Sequence, residues 1–145
     1  MQVVIDTNVL VGELIRERGR RLLSHAALDL FITEAAWAEV EHELPRRLVR
    51  LVDQGRLTAS GAARLERAIY SLAGTRLLIL PALLYELWEM VARSRIPRDP
   101  TDWPTVAAAL ATGGAIWTTD CDFIGCGLPT WTTDTLLAAL PVRAA

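Results

Sequence analysis

Four short apolar runs constrain the fold of this 145-residue chain more than any other feature. They are Val3-Val4-Ile5, Leu30-Phe31-Ile32, Leu77-Leu78-Ile79-Leu80 and Ala115-Ile116-Trp117. None alternates with polar residues, so each reads as a strand buried on both faces rather than one lying over solvent. The stretches between them are longer and place apolar residues at helical spacing. Strands that alternate with helices in this way form a parallel sheet covered on both sides.

The helical stretches are marked by their ends. Val9 to about Leu30 is helical, with the polar Arg16 to Arg21 stretch as a break between two helices. Thr33 reads as the N-cap of a helix carrying Trp37, Val40 and Leu44. Pro45 is expected to interrupt or kink that helix before the pattern resumes through Leu48, Leu51 and Val52. Ser60 reads as the cap of a further helix and Gly74 as its C-terminal stop. Leu83 to Arg93 predicts another helix, and the turn formers from Ile96 to Asp102 a loop. An alanine-rich helix follows from Trp103 to about Thr112, ended by Gly113-Gly114. A short strand around Pro129 to Thr132 and a helix capped by Asp134 complete one expected domain over residues 1–145.

Composition excludes several classes. With 52% hydrophobic and 22% charged residues the chain has the balance of a globular protein. No apolar run is long enough to cross a membrane, and no basic region precedes an apolar stretch at the start as a secretory signal requires. The cytoplasm is the expected location. Cys121 and Cys126 are too few for a disulfide scaffold. Zinc would need further ligands, and His25 and His42 have no paired spacing. All 15 basic residues are arginine, a usage that suits phosphate contact but equally follows from a GC-rich genome. The net charge of -2 is weak evidence on nucleic-acid binding either way.

The acids fall where an α/β sheet binds ligands, beyond the carboxyl ends of its strands. Asp6 ends the first strand and Asp120 the fourth; Asp102 starts the helix that feeds the fourth. Glu39 lies about two turns into the helix after the second strand. Taken singly, Asp6 and Asp102 read as helix caps, Glu39 as a solvated acid beside Glu41 and Glu43, and Asp120 with Asp122 as a turn. Their joint placement is what caps do not predict. Converging carboxylates raise one another's pKa unless a cation is present, and all-oxygen sites suit magnesium or manganese. Such ions activate water and stabilise a leaving oxygen in phosphodiester hydrolysis.

These motifs resemble the PIN-domain nucleases over essentially the whole chain. "VVIDTNVLV" is similar to the family's first strand with its acid at Asp6, and "TEAAWAEVEHEL" to the segment whose acid falls on Glu39. "DPTDWPTVAAALATGGAIWTTDCDF" resembles its most recognisable stretch, which places the third acid on Asp102 rather than Asp99 and the fourth on Asp120. The resemblance adds Asp122 as an auxiliary ligand and puts Asn8 and Thr118 near the metal. It implies a three-layer α/β/α sandwich around a central, mainly parallel sheet of four to five strands. Trp103 stands where many relatives have smaller residues, placed to narrow the site or stack on a base.

The activity implied is a magnesium- or manganese-dependent endoribonuclease, with Asp6, Asp102 and Asp120 as metal ligands and Glu39 as ligand or water-positioning group. Arg46, Arg47 and Arg50 are candidates for phosphate contact, against the plainer reading of a solvated helix face. Small stand-alone relatives resemble VapC-type toxins, which implies a homodimer and a small antitoxin protein over the acidic site. Ala62 to Leu72 and Leu83 to Val91 are candidate dimer surfaces. The rivals are a DNA-directed nuclease, and a catalytically silent module that keeps the fold to bind RNA or protein. Asn8 argues against a haloacid-dehalogenase phosphatase, which needs an aspartate there. The absence of lysine argues against a response-regulator receiver.

Overall fold

The structure, a computed structural model, describes residues 1–141. Five strands form one sheet: β1 (Gln2–Ile5), β2 (Asp29–Thr33), β3 (Leu77–Leu80), β4 (Ala115–Trp117) and β5 (Thr130–Trp131). Their spatial order is β3-β2-β1-β4-β5, and every neighbouring pair is parallel. The helices are α1 (Thr7–Ile15), α2 (Glu17–Leu23), α3 (Glu34–Asp53), α4 (Ala59–Arg76), α5 (Glu89–Arg95), α6 (Trp103–Thr112) and α7 (Thr133–Ala139). No described helix is long and apolar enough to cross a membrane.

Burial on both sheet faces explains the unbroken apolar runs. Val3 and Ile5 enter one core with α1, α2, α3, α4 and α7, while Val4 enters a second core with α5 and α6. All three β1 residues are fully buried. In α6, Ala107, Ala108 and Ala109 are likewise buried, small side chains that let the helix lie close against the sheet. The chain winds outward from β1 to β3 with α1 to α4 on one face. It then returns across the other face through α5 and α6 to place β4 on the opposite side of β1. The order of the strands therefore reverses at β1, and crevices open beyond the sheet's carboxyl edge at such a point.

Several local expectations are corrected. The helix α3 runs unbroken through Pro45, because Val40, Leu44 and Leu48 form one buried stripe on both sides of it. That packing offsets the roughly 3 kcal/mol an interior proline costs. Thr58, not Ser60, caps α4: its hydroxyl accepts the Gly61 amide at 3.0 Å. The same helix continues past Gly74 to Arg76, whose guanidinium donates to the carbonyls of Leu23, His25 and Leu28 and so anchors the last turn. Leu83 to Arg93 is not one helix. Ala82–Leu84 and Glu86–Trp88 are 3-10 turns, divided by the buried Tyr85 at φ -131°, and only then does α5 begin. The strand β3 is a sheet edge, with Leu78 and Ile79 exposed. Thr132, not Asp134, caps α7 in a reciprocal box with Thr135, while Asp134 pairs with Arg18 at 3.0 Å.

Other boundaries agree in part. The break between α1 and α2 falls at Arg16 alone, since Glu17 to Arg21 of the expected break are helical, and α2 ends at Leu23 rather than near Leu30. Thr33 caps α3 as expected, accepting the Ala36 amide at 3.2 Å. Gly113 ends α6 in the left-handed region at φ 68°, where a Cβ is strained. Cys121 is exposed and Cys126 buried, and no disulfide joins them.

Candidate active site

A polar cleft of about 530 Å³ opens at the carboxyl edge of the sheet, and Asp6, Glu39, Asp102 and Asp120 all line it. Four segments far apart in sequence supply these acids: the ends of β1 and β4, the second turn of α3 and the start of α6. Asn8, Thr33 and Thr105 add small polar groups to the walls.

Asp6 occupies the N-cap position of α1 but makes no side-chain cap bond. Its Oδ2 instead accepts from the Thr118 hydroxyl at 2.9 Å. Burial raises the Asp6 carboxyl above the usual carboxylate range; the Thr118 bond pulls it down, the Asp120 charge pushes it up, and the Asn8 and Thr7 amides lower it weakly. Thr118 is buried, and its Oγ1 also accepts the Asp120 amide at 2.9 Å. One hydroxyl thus ties the ends of β1 and β4 together.

Asp102 stands at the cap position of α6, again with no side-chain cap bond. Its carboxyl is pushed up to about 6, by burial first and then by the charges of Asp99, Asp6, Asp120 and Glu39. Asp6, Asp120 and Glu39, from three other segments around the cleft, therefore act on it, which single helix caps would not require. Asp99 faces elsewhere: it accepts the Thr101 amide at 3.1 Å and the Thr101 hydroxyl, and these bonds hold it below the usual range.

Asp120 is both turn former and cleft acid. Its Oδ1 accepts the Asp122 amide at 2.8 Å, capping the 3-10 turn Cys121–Phe123, while the residue lines the cleft. Asp122 does not line the cleft and lies 3.6 Å from Arg98. Trp103 also turns away: its ring packs on Tyr85, with centroids 5.8 Å apart, and under the Arg93 guanidinium at 5.3 Å. It neither narrows the cleft nor is free to stack on a base there.

Sequence reasoning missed His42 and Glu43, which line the cleft beside Glu39. Their positions three and four residues after Glu39 put all three on one side of a helix, and that spacing was the available signal. Among the described residues no three His, Cys, Asp or Glu side chains stand close enough to clasp one ion directly. The donor set nevertheless fits magnesium or manganese. Its oxygens are hard, burial and neighbouring carboxylates raise Asp6 and Asp102, and magnesium keeps several waters while touching one or two carboxylates.

A doubly wound parallel sheet with an acidic cleft at its strand reversal is the class that fold and site define. The chain belongs to the PIN-domain family, whose model matches residues 4–141. Its fold is similar to that of PAE2754 from Pyrobaculum aerophilum, at TM-score 0.62 and 17% identity over 95% of this chain and 88% of that one. FitAcB from Neisseria gonorrhoeae is also similar, at TM-score 0.51 and 21% identity over 89% of this chain and 96% of that one. No curated protein matches the chain.

Proposed function

We propose that the protein is a magnesium- or manganese-dependent endoribonuclease that hydrolyses RNA phosphodiester bonds. The observation that carries this reading is the convergence of Asp6, Glu39, Asp102 and Asp120 on one cleft, where burial first and then the surrounding carboxylates push Asp102 up to about 6. Asp6, Asp102 and Asp120 would hold the ion, one or two of them directly and the rest through its waters, and Glu39 would join them or orient the attacking water, with Asn8 and Thr118 beside them. When bound, the ion supplies Lewis-acid stabilisation of developing oxygen charge and lowers the pKa of water. The chain's own part is to keep these carboxylates ionised and fixed. Thr118 does so at Asp6 by donating to the carboxylate form. Asp122, paired with Arg98, has no direct part as placed.

The partners follow from the same reading: RNA as substrate, a second copy of the chain, and a small antitoxin protein that covers the acids in a toxin–antitoxin pair, in the cytoplasm. For the homodimer, Leu83 to Val91 is the better of the two candidate surfaces. Ile69, in the other, is already buried in the chain's own core.

The test is cleavage of structured RNAs and single-stranded DNAs with magnesium or manganese, comparing wild type with Asp6→Asn and Asp120→Asn. Metal-dependent RNA cleavage that both substitutions reduce at least 100-fold supports the assignment. DNA cleavage in place of RNA transfers it to a DNA nuclease. Folded protein with neither cleavage nor metal binding would leave a silent binding module.

A further inference from the structure

The helices α1 and α3 both start at the carboxyl edge of the sheet, share one core and run away from the acidic cleft together. Each presents a stripe at helical spacing: Asn8 and Gly12 on α1, with Arg16 just past its end, and Glu39, Glu43, Arg47 and Arg50 on α3. The early members, Asn8, Glu39 and Glu43, line the acidic cleft. The later members line a second cleft, of about 340 Å³, where Arg56 joins Arg16, Arg47 and Arg50. No acidic residue lines that cleft, and Ile15 and Leu51 give it apolar wall. Of its four arginines only Arg16 is ion-paired among the described residues, to Glu13 at 3.5 Å.

This concentration matters because the chain as a whole carries a net charge of -2 and its first cleft is acidic. A polyanion approaching those carboxylates is repelled and needs counter-charge nearby. Guanidinium forks match phosphate oxygens, and three of them along the two stripes, with Arg56 beyond the end of α3, suit a chain of phosphates better than one compact anion. From Glu39 to Arg47 and Arg50 is about 12 to 17 Å along α3 at the usual rise per residue.

We propose that the cleft of Arg16, Arg47, Arg50 and Arg56 is a phosphate-binding track. It grips the backbone of single-stranded nucleic acid a few nucleotides from the bond that lies in the acidic cleft. The proposal rests on the nuclease reading for what the first cleft does, but not for what the second one binds.

The test is fluorescence anisotropy with a labelled single-stranded RNA of about 16 nucleotides. It is run in EDTA, so that nothing is cut, across a series of salt concentrations. The variant Arg47→Gln/Arg50→Gln is compared with Arg64→Gln/Arg67→Gln, which removes the same charge from the exposed side of α4. Circular dichroism melts establish that both fold. The cleft variant is expected to bind at least tenfold more weakly, with the slope of log K against log salt reduced by about 1.4. The α4 variant leaves affinity and slope close to wild type. Equal losses in the two variants, or no RNA binding by wild type, overturns the proposal. So does tighter binding of a poly-glutamate peptide that the cleft variant loses, which assigns the cleft to an acidic protein. A wild type that binds RNA through these arginines but never cuts keeps the track and removes the nuclease. A wild type that cuts, with a cleft variant that binds and cuts equally well, does the reverse.

Discussion

The Thr118 hydroxyl donates to Asp6 Oδ2 at 2.9 Å while its oxygen accepts the Asp120 amide at the same distance. A β-branched residue fixes this geometry through its stiff χ1. Thr118→Val keeps the shape and removes both bonds, leaving the Asp120 N–H without its partner. The expected destabilisation is about 1–3 kcal/mol. The Thr118 bond is also the strongest of the influences lowering the Asp6 carboxyl, so in the variant that carboxyl rises further. Metal-dependent activity should therefore fall more at pH 6 than at pH 8. Equal losses at both would reduce Thr118 to a structural residue.

The raised Asp102 makes a second prediction, for the metal-free protein. Its folded value of about 6 lies above the unsubstituted 3.8. Its contribution to stability is thus fully present below about pH 4 and lost as the pH rises through about 6. Asp102→Asn should be more stable than wild type at pH 7.5, by about 1 kcal/mol once screening of this partly exposed group is allowed for. The difference should vanish near pH 4. Thermal melts in EDTA across that range measure it, and parallel curves for the two proteins would refute it.

Metal reverses the sign. On the proposed reading the ion is held by the Asp102 carboxylate, so below pH 6 binding would have to displace its proton. Manganese affinity is expected to rise about tenfold per pH unit up to about 6 and then level off. Titration calorimetry at pH 5, 6, 7 and 8 reads this directly. A flat affinity over that range would mean that Asp102 is not among the ligands.

Arg76 tests how α4 is held. Its three bonds to the carbonyls of Leu23, His25 and Leu28 span 2.9 to 3.1 Å and join the last turn of α4 to the turn between α2 and β2. Arg76→Ala takes the guanidinium from the Leu23 and Leu28 carbonyls, while the His25 carbonyl keeps the Leu28 amide, at an expected cost of about 2–4 kcal/mol in denaturant titration. Arg76→Lys restores less than half, because an ammonium cannot reproduce the fork.

Four of the five strands were legible because each contains an unbroken apolar run, and two of the acids because they end such runs. The signals that misled are equally physical. Pro45 reads locally as a breaker, yet the buried stripe of Val40, Leu44 and Leu48 is a tertiary effect that no single residue announces. Gly74 reads as a stop, but the stop depends on carbonyls more than forty residues away that engage Arg76. Within the site, the cap positions of Asp6 and Asp102 were visible. That neither side chain caps its helix was not, since the alternative partners come from other segments. His42 and Glu43 were hidden by the usual solvated use of helix charges, and only the turn of α3 over the cleft recruits them.

The exposed apolar stretch makes the last prediction. Leu78, Ile79, Leu83, Leu84, Leu87, Trp88, Met90 and Val91 are all exposed, Leu87 at 91% and Met90 at 83%. The stretch begins on β3, an edge strand with unpaired backbone groups, which without a cover invites uncontrolled association. A two-fold partner covers both liabilities at once with the same surface. Leu87→Glu with Met90→Glu should therefore convert a dimer to a monomer in sedimentation, with little change in the monomer's own fold, since neither side chain is buried. Wild type that sediments as a monomer at tens of micromolar would remove the second copy as the occupant of this face.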